Sequence, residues 1–215
     1  MFRLAALLAL LLAGCGTTLT AALPRKTTVV TGSLGGPAVL FGGAPLPVPL
    51  STVGVAHAPS DAVSVRGALH PTAAAFGVAG LDLGVIVHPL QAQRAALSLG
   101  CDAYGFDNGR DAVLLADPWI ASRATLLPWL ALSGGAHLPI RLATASKTLR
   151  ELSPFAPTLF VQPAFLVGRW ELAVELRWYA FASCGSCVAP EWVSPGGAGA
   201  LGVVLGANYR IAGAP

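Results

Sequence analysis

The stretch 168–181, Gly-Arg-Trp-Glu-Leu-Ala-Val-Glu-Leu-Arg-Trp-Tyr-Ala-Phe, constrains the fold more than any other part of the chain. Read with a period of two, it sets Trp170, Leu172, Val174, Leu176 and Trp178 on one side. Arg169, Glu171, Ala173, Glu175, Arg177 and Tyr179 fall on the other. Successive side chains of a strand point to opposite faces, so this strand has one apolar face and one charged face. A helix would mix the two sets around its circumference. From Trp170 to Trp178 a strand rises roughly 26 Å. At a tilt of about 40° that becomes roughly 20 Å along a barrel axis, close to the apolar band of a transmembrane β-barrel with aromatics at both rims. The pattern predicts Trp170, Leu172, Val174, Leu176 and Trp178 facing lipid and the Arg/Glu side facing a lumen.

Alternation alone does not say which face meets water, because a soluble barrel shows the same period with its apolar residues inside. Composition decides between them. Only 11% of the 215 residues are charged and 54% are hydrophobic, with a net charge of +3, where a soluble domain carries about 25% charged residues. No stretch reads as a membrane-spanning helix. The long uncharged run 27–60 is interrupted by Pro37, Pro45, Pro47, Pro49 and Pro59, which forbid a continuous helix. A membrane protein without such helices must close its backbone hydrogen bonds as a barrel. The basic residues are scattered, with no stripe interleaved with aromatics, so nucleic acid is not a predicted partner.

Residues 1–14 carry Arg3 and then an apolar run from Leu4 to Leu12, too short to span a bilayer and ending in small residues. That is an export signal. The sequence Leu12-Ala13-Gly14-Cys15 resembles the lipobox of bacterial lipoproteins. The resemblance implies that Cys15 is acylated as the mature N-terminus, and Gly16 after it fits outer-membrane sorting in that family. Residues 15–49, rich in Thr, Gly and Pro, read as a semi-rigid tether, with a short strand at 39–41 or entry into the lumen as the alternative. The barrel domain is then 50–215.

Candidate strands follow at short intervals. Val63, Val65 and Leu69 oppose Ser64, Arg66 and His70; Leu81, Leu83, Val85 and Val87 oppose Gly80, Asp82, Gly84 and His88. Leu97, Leu99 and Cys101 oppose Ser98, Gly100, Asp102 and Tyr104, and near the end Leu201, Val203, Leu205, Tyr209 and Ile211 oppose Gly202, Gly206, Asn208 and Arg210. One face is apolar and the other offers Gly, small polar residues and a few charges, as a narrow side-chain-filled lumen requires. Stretch 106–122 reads as a loop or short helix, 125–133 as a strand bulged at Pro128, and 137–153 as an exposed loop. The reading is an all-β, antiparallel, up-and-down transmembrane barrel of about eight strands. It resembles the small eight-stranded outer-membrane barrels of bacteria. Two features depart from that class: the chain ends without a terminal aromatic residue, and stretch 106–122 is long where a short periplasmic turn belongs.

Arg66, Asp82, Asp102, Arg169, Glu171, Glu175, Arg177 and Arg210 are the predicted lumen charges, paired across the barrel because buried charges need partners. Cys184 and Cys187, in the loop before the last strand, form a local disulfide or stay as thiols; a lone CxxC supplies half of a zinc site and lacks a redox fold around it. No metal or cofactor is predicted. Some barrels of this architecture are lipid A deacylases with a Ser/His/acid set at the rim. Here His57, His70, His88 and His137 are scattered with no identifiable orienting acid, so no enzyme is predicted. The expectation is an outer-membrane barrel lipoprotein with a filled lumen and no open pore. Its role would be structural or in surface interaction, with outer-membrane lipid and an envelope protein as partners. The alternatives are a periplasmic lipocalin-like lipoprotein that holds an apolar ligand, and an outer-membrane lipid hydrolase.

Overall fold

A computed structural model of the chain describes residues 16–145, 154–184 and 192–211. It contains twelve strands in chain order: β1 (Thr28–Phe41), β2 (Ala44–Pro47), β3 (Leu50–Ser60), β4 (Val63–Leu69), β5 (Ala79–Gln91), β6 (Ala95–Asp107), β7 (Ala112–Leu127), β8 (Leu130–His137), β9 (Ile140–Thr144), β10 (Thr158–Val167), β11 (Trp170–Cys184) and β12 (Ala198–Ile211). One short helix, α1 (Pro71–Ala75), joins β4 to β5. No described helix is long and apolar enough to cross a membrane.

Ten strands form a closed antiparallel barrel in the order β1-β3-β4-β5-β6-β7-β8-β10-β11-β12. The last strand returns to the first in a continuous register from Thr28 against Ile211 to Pro37 against Gly202. Closure leaves no free edge within the wall. The two remaining strands are extensions at one end: β2 folds back on the end of β1, and β9 pairs with the start of β7.

The two ends differ. At one, which we call the turn end, the strand connections are residues 61–62, 92–94, 128–129 and 168–169, and Thr28 lies beside Ile211. Gly168 there takes a positive φ of 60°, as a two-residue hairpin turn requires. The opposite, loop end carries β2, α1, β9 and the long connection between β11 and β12. Short turns at one mouth and long loops at the other are the asymmetry of outer-membrane barrels.

Several expectations are corrected. The barrel has ten strands, because two were hidden. The expected tether supplies β1 and β2, so the barrel begins at Thr28 rather than at residue 50. Stretch 106–122 is the end of β6, a turn and most of β7. In that turn Asn108 Oδ1 accepts from the backbone N–H groups of Arg110 and Asp111 at 2.9 and 2.7 Å. The bulged strand expected over 125–133 is the β7–β8 hairpin, with Pro128 and Trp129 at its tip. The exposed loop expected over 137–153 contains β9. With β1 and β7 counted, the connections 61–62, 92–94, 128–129 and 168–169 all fall at one mouth, and 106–122 no longer has to be a periplasmic turn.

Candidate functional site in the filled lumen

An eight-stranded barrel is just wide enough for side chains to fill. Two more strands at about 4.8 Å spacing and about 40° tilt add roughly 4 Å to the diameter, about the width of one extended chain. The protein puts its own chain there. Thr27 N–H donates to Pro24 O at 3.0 Å and Lys26 N–H to Ala58 O at 2.7 Å. This turn, with Lys26 at φ 63°, reverses the chain at the turn end. Residues 16–23 then run back up the lumen antiparallel to β1.

The segment belongs to no strand ladder. Its bonds go to wall side chains at three levels. Leu23, lowest, and Leu19, above Thr20, are buried in one cluster with Val29, Ala56, Ala58, Ile86, Trp119, Ala121 and Phe160, each leucine worth roughly 1.5–3 kcal/mol. In the middle, Thr20 Oγ1 lies 2.8 Å from Ser133 Oγ and accepts from Arg123 Nη1 at 3.2 Å, while Thr20 O accepts from Ser98 Oγ at 3.4 Å. Thr18 N–H donates to Glu175 Oε2 at 2.7 Å, and Thr18 O accepts from Gln162 Nε2 at 3.1 Å. Highest, Gly16 O accepts from Arg177 Nη2 at 2.5 Å. Gly206 makes room for the segment, since a Cβ there would run into the Thr17 side chain. The gap left among Gly16, Thr17, Ser33, Thr52, Arg66 and Asp82 is about 20 Å³, roughly one water.

The wall charges pair among themselves. Arg66 Nε donates to Asp102 Oδ1 at 2.7 Å, and Trp119 Nε1 donates to the other oxygen of Asp102 at 2.8 Å. Arg123 grips Glu171 with two parallel bonds of 3.1 and 2.8 Å. Glu175 pairs with Arg177 two residues along the same strand. Asp82 lies 2.5 Å from His70 Nε2, and Asp117 Oδ2 lies 2.8 Å from His137 Nδ1 and accepts from Tyr104 at 3.1 Å.

Of the predicted lumen charges, Arg66, Asp82, Asp102, Glu171, Glu175 and Arg177 line the interior. Arg169 and Arg210 do not: Arg169 lies in the β10–β11 turn, Arg210 N–H donates to Arg169 O at 3.0 Å, and both are exposed at the turn end. Those two positions fall where the strand runs out into the mouth, so the alternation no longer decides their surroundings. The pairing also differs from expectation. Glu171 meets Arg123, which falls between the stretch 106–122 and the strand expected from 125 and was not among the predicted charges, and Glu175 finds its cation on its own strand.

Two of the four histidines, His70 and His137, face an acid in the folded chain. Asp117 faces His137, whose Nε2 lies 2.9 Å from Thr18 Oγ1, so a hydroxyl, an imidazole and a carboxylate stand in line. His88 sits between Ser98 and Ser64 at 2.9 and 3.5 Å. The orienting acids for His137 and His70 were missing from the sequence reading because Asp117 and Asp82 become their neighbours only across adjacent strands. Thr18 is itself buried in the lumen, and its hydroxyl stands between His137 and Glu175 Oε1, 3.4 Å away. Among the described residues no cluster has the make-up of a metal site.

The outer face is the reverse. Trp170, Leu172 and Leu176 are exposed, Val174 and Trp178 half-exposed, and other strands around the wall present Val53, Val55, Leu83, Val85, Leu99, Leu201 and Leu205 outward. Glu175 is 0% exposed and the adjacent Leu176 49%. A lipocalin-like cavity would need Trp170, Leu172 and Leu176 inside, and that alternative is excluded. Aromatic pairs mark both rims: Trp129 stacks on Phe165 at 6.3 Å and Trp170 meets Tyr209 at 4.7 Å near the turn end, while Trp178 meets Phe181 at 5.8 Å near the loop end. At the loop end Tyr179, Trp192 and Ala200 form a cluster with Val39. The β1–β2 hairpin overhangs the outer wall there, its Pro45 and Pro47 lining an open groove of about 640 Å³ with Leu159, Val161, Leu176 and Trp178. Cys101 is exposed on the outer face as a free thiol. Cys15 and the Cys184–Cys187 pairing lie outside the described residues.

No family model and no curated protein sequence matches the chain. Among solved structures it is similar to the NanC porin, with a TM-score of 0.46 and 10% identity over 86% of this chain and 100% of that one. It is similar to the outer membrane protease OmpT from Escherichia coli, with a TM-score of 0.46 and 11% identity over 91% of this chain and 100% of that one. It is also similar to the KdgM porin in complex with disordered oligogalacturonate, with a TM-score of 0.41 and 8% identity over 86% and 99% of the two chains.

Proposed function

We propose that this chain is an outer-membrane β-barrel lipoprotein, exported by residues 1–14 and anchored through Cys15. Its lumen is occluded at rest, and its loop end serves a structural or surface-interaction role toward an envelope partner. The observation that carries this reading is the inversion of the two faces: a fully buried Glu175 beside a half-exposed Leu176, repeated around the wall. In water such a surface would be a continuous apolar patch far larger than a soluble monomer tolerates; in a bilayer it is the required surface. We assign no catalysis to the Thr18–His137–Asp117 array, because the hydroxyl that would act as nucleophile belongs to the segment that fills the site. The anchor and the filling segment share one end of the chain. With Gly16 held by Arg177, an acylated Cys15 reaches lipid only past the loop mouth or with the segment withdrawn. The test is fractionation with gel migration. The reading expects a detergent requirement, faster migration of the unheated than of the boiled protein, and palmitate label lost in Cys15→Ser. A freely soluble, heat-insensitive protein overturns the membrane location, and an unlabelled wild type overturns the anchor.

A further inference from the structure

We propose that residues 16–23 are a removable plug, and that the lumen behind them is a passage for small hydrated cations; the proposal rests on the membrane location above. Three observations carry it. First, none of the wall ion pairs needs the segment. Arg66–Asp102, Arg123–Glu171 and Arg177–Glu175 are wall to wall, as are His70–Asp82 and His137–Asp117, so withdrawing the segment strands no buried charge, the usual large penalty. Second, the segment contributes no charge (Gly-Thr-Thr-Leu-Thr-Ala-Ala-Leu) and no strand pairing. Every polar bond it makes is a backbone or hydroxyl contact to a side chain that water can solvate in its place. Its largest apolar holds are Leu19 and Leu23, both in the buried apolar cluster, and they act as the latch.

Third, the vacated lumen would be negative. The paired carboxylates Asp82, Asp102, Asp117, Glu171 and Glu175 number five against the three guanidiniums Arg66, Arg123 and Arg177. The fixed charges differ by 3 − 5 = −2, opposite only His70 and His137, so wherever those two imidazoles are uncharged the lumen attracts cations and repels anions. The roughly 4 Å of extra diameter that ten strands give over eight is the room the segment now occupies.

The experiment is planar-bilayer recording of the full-length chain in a KCl gradient, beside a variant lacking residues 17–23. Wild type is expected to be silent, and the deletion to show discrete steps whose reversal potential moves toward the potassium equilibrium value. Heat-modifiable migration is scored first, so that a misfolded deletion is set aside, and Leu19→Ser with Leu23→Ser in the full-length chain is the second variant, expected to flicker open. A lock, Thr20→Cys with Ser133→Cys in a chain whose native cysteines are serine, is then added to the latch variant; oxidation should silence it and reduction restore it. A correctly folded deletion or latch variant that does not conduct, a preference for chloride, or currents indifferent to the oxidised lock overturns the plug. A protein that shows neither heat-modifiable migration nor a detergent requirement overturns the membrane reading, and the passage with it.

Discussion

Arg123 on β7 and Glu171 on β11 meet across the lumen through two parallel hydrogen bonds of 3.1 and 2.8 Å, both side chains buried. Between them in the wall lie β8 and β10, so this one contact braces the barrel over three strand-to-strand steps. Its geometry is the fork-to-carboxylate match that only arginine makes.

Breaking that brace from one side should cost more than removing it. Arg123→Leu leaves Glu171 buried without its cation, a loss of about 3–5 kcal/mol. Arg123→Leu with Glu171→Leu replaces the pair by apolar volume and should recover most of that loss. The check is the temperature at which the folded band disappears on unheated gels, taken for both singles and the double; equal losses in the double and in Arg123→Leu would deny the pairing.

Glu175 gathers more partners than any other wall carboxylate described, taking Arg177, Thr18 N–H and Gln162 Nε2 at 3.3 Å. Glu175→Ala should lower thermal stability by about 3 kcal/mol, since the Arg177 charge loses its carboxylate, without creating a conductance, because Leu19 and Leu23 still hold the segment. Melting followed by β-sheet circular dichroism in detergent, with bilayer recording beside it, checks both halves.

How much of this was legible in the chain differs from strand to strand. β11 could be read residue by residue because its lipid face is all bulky and its lumen face is charged or small. β1 could not. Gly32, Gly35, Gly36 and Pro37 erase its period, leaving Val30 and Leu34 as the marks of an outer face. β7 fails for the opposite reason: Val113, Leu115 and Trp119 point inward beside Asp117 and Arg123, so its lumen face does not look polar. Trp119 fits only because Gly100 on the neighbouring strand has no Cβ to meet its ring, a relation between strands that neither stretch shows alone. The segment 16–23 carries no local signal at all. Its place follows from the strand count, and the count was wrong by the two strands just named.

Gly206 and Thr17 give a size test of the seated segment. Gly206→Ala puts a methyl where Thr17 now lies, and overpacking of this kind costs about 1–3 kcal/mol. Thr17→Gly in the same chain should restore stability, while Thr17→Gly alone should cost little. Urea or heat midpoints of the four proteins decide it: an additive double variant would mean the two residues do not touch.

Val174 tests the outer face by depth. Val174→Arg places a cation midway between Trp170 and Trp178 in the apolar band and should cost about 2–4 kcal/mol in a bilayer, falling to about 0–1 near the rim, as for Val167→Arg beside the turn end. In a protein whose outer face met water, both changes would be nearly neutral. Refolding equilibria into vesicles measure the difference.

The most direct test of the account is fluorescence quenching of single-tryptophan variants in vesicles of bromine-labelled lipid. Trp170 stands on the outer face and Trp119 is buried against Asp102 in the lumen. The account predicts strong quenching of Trp170 by the brominated acyl chains and little of Trp119. Quenching of Trp170 by aqueous iodide with none by the lipid, or of Trp119 by the lipid, would contradict it.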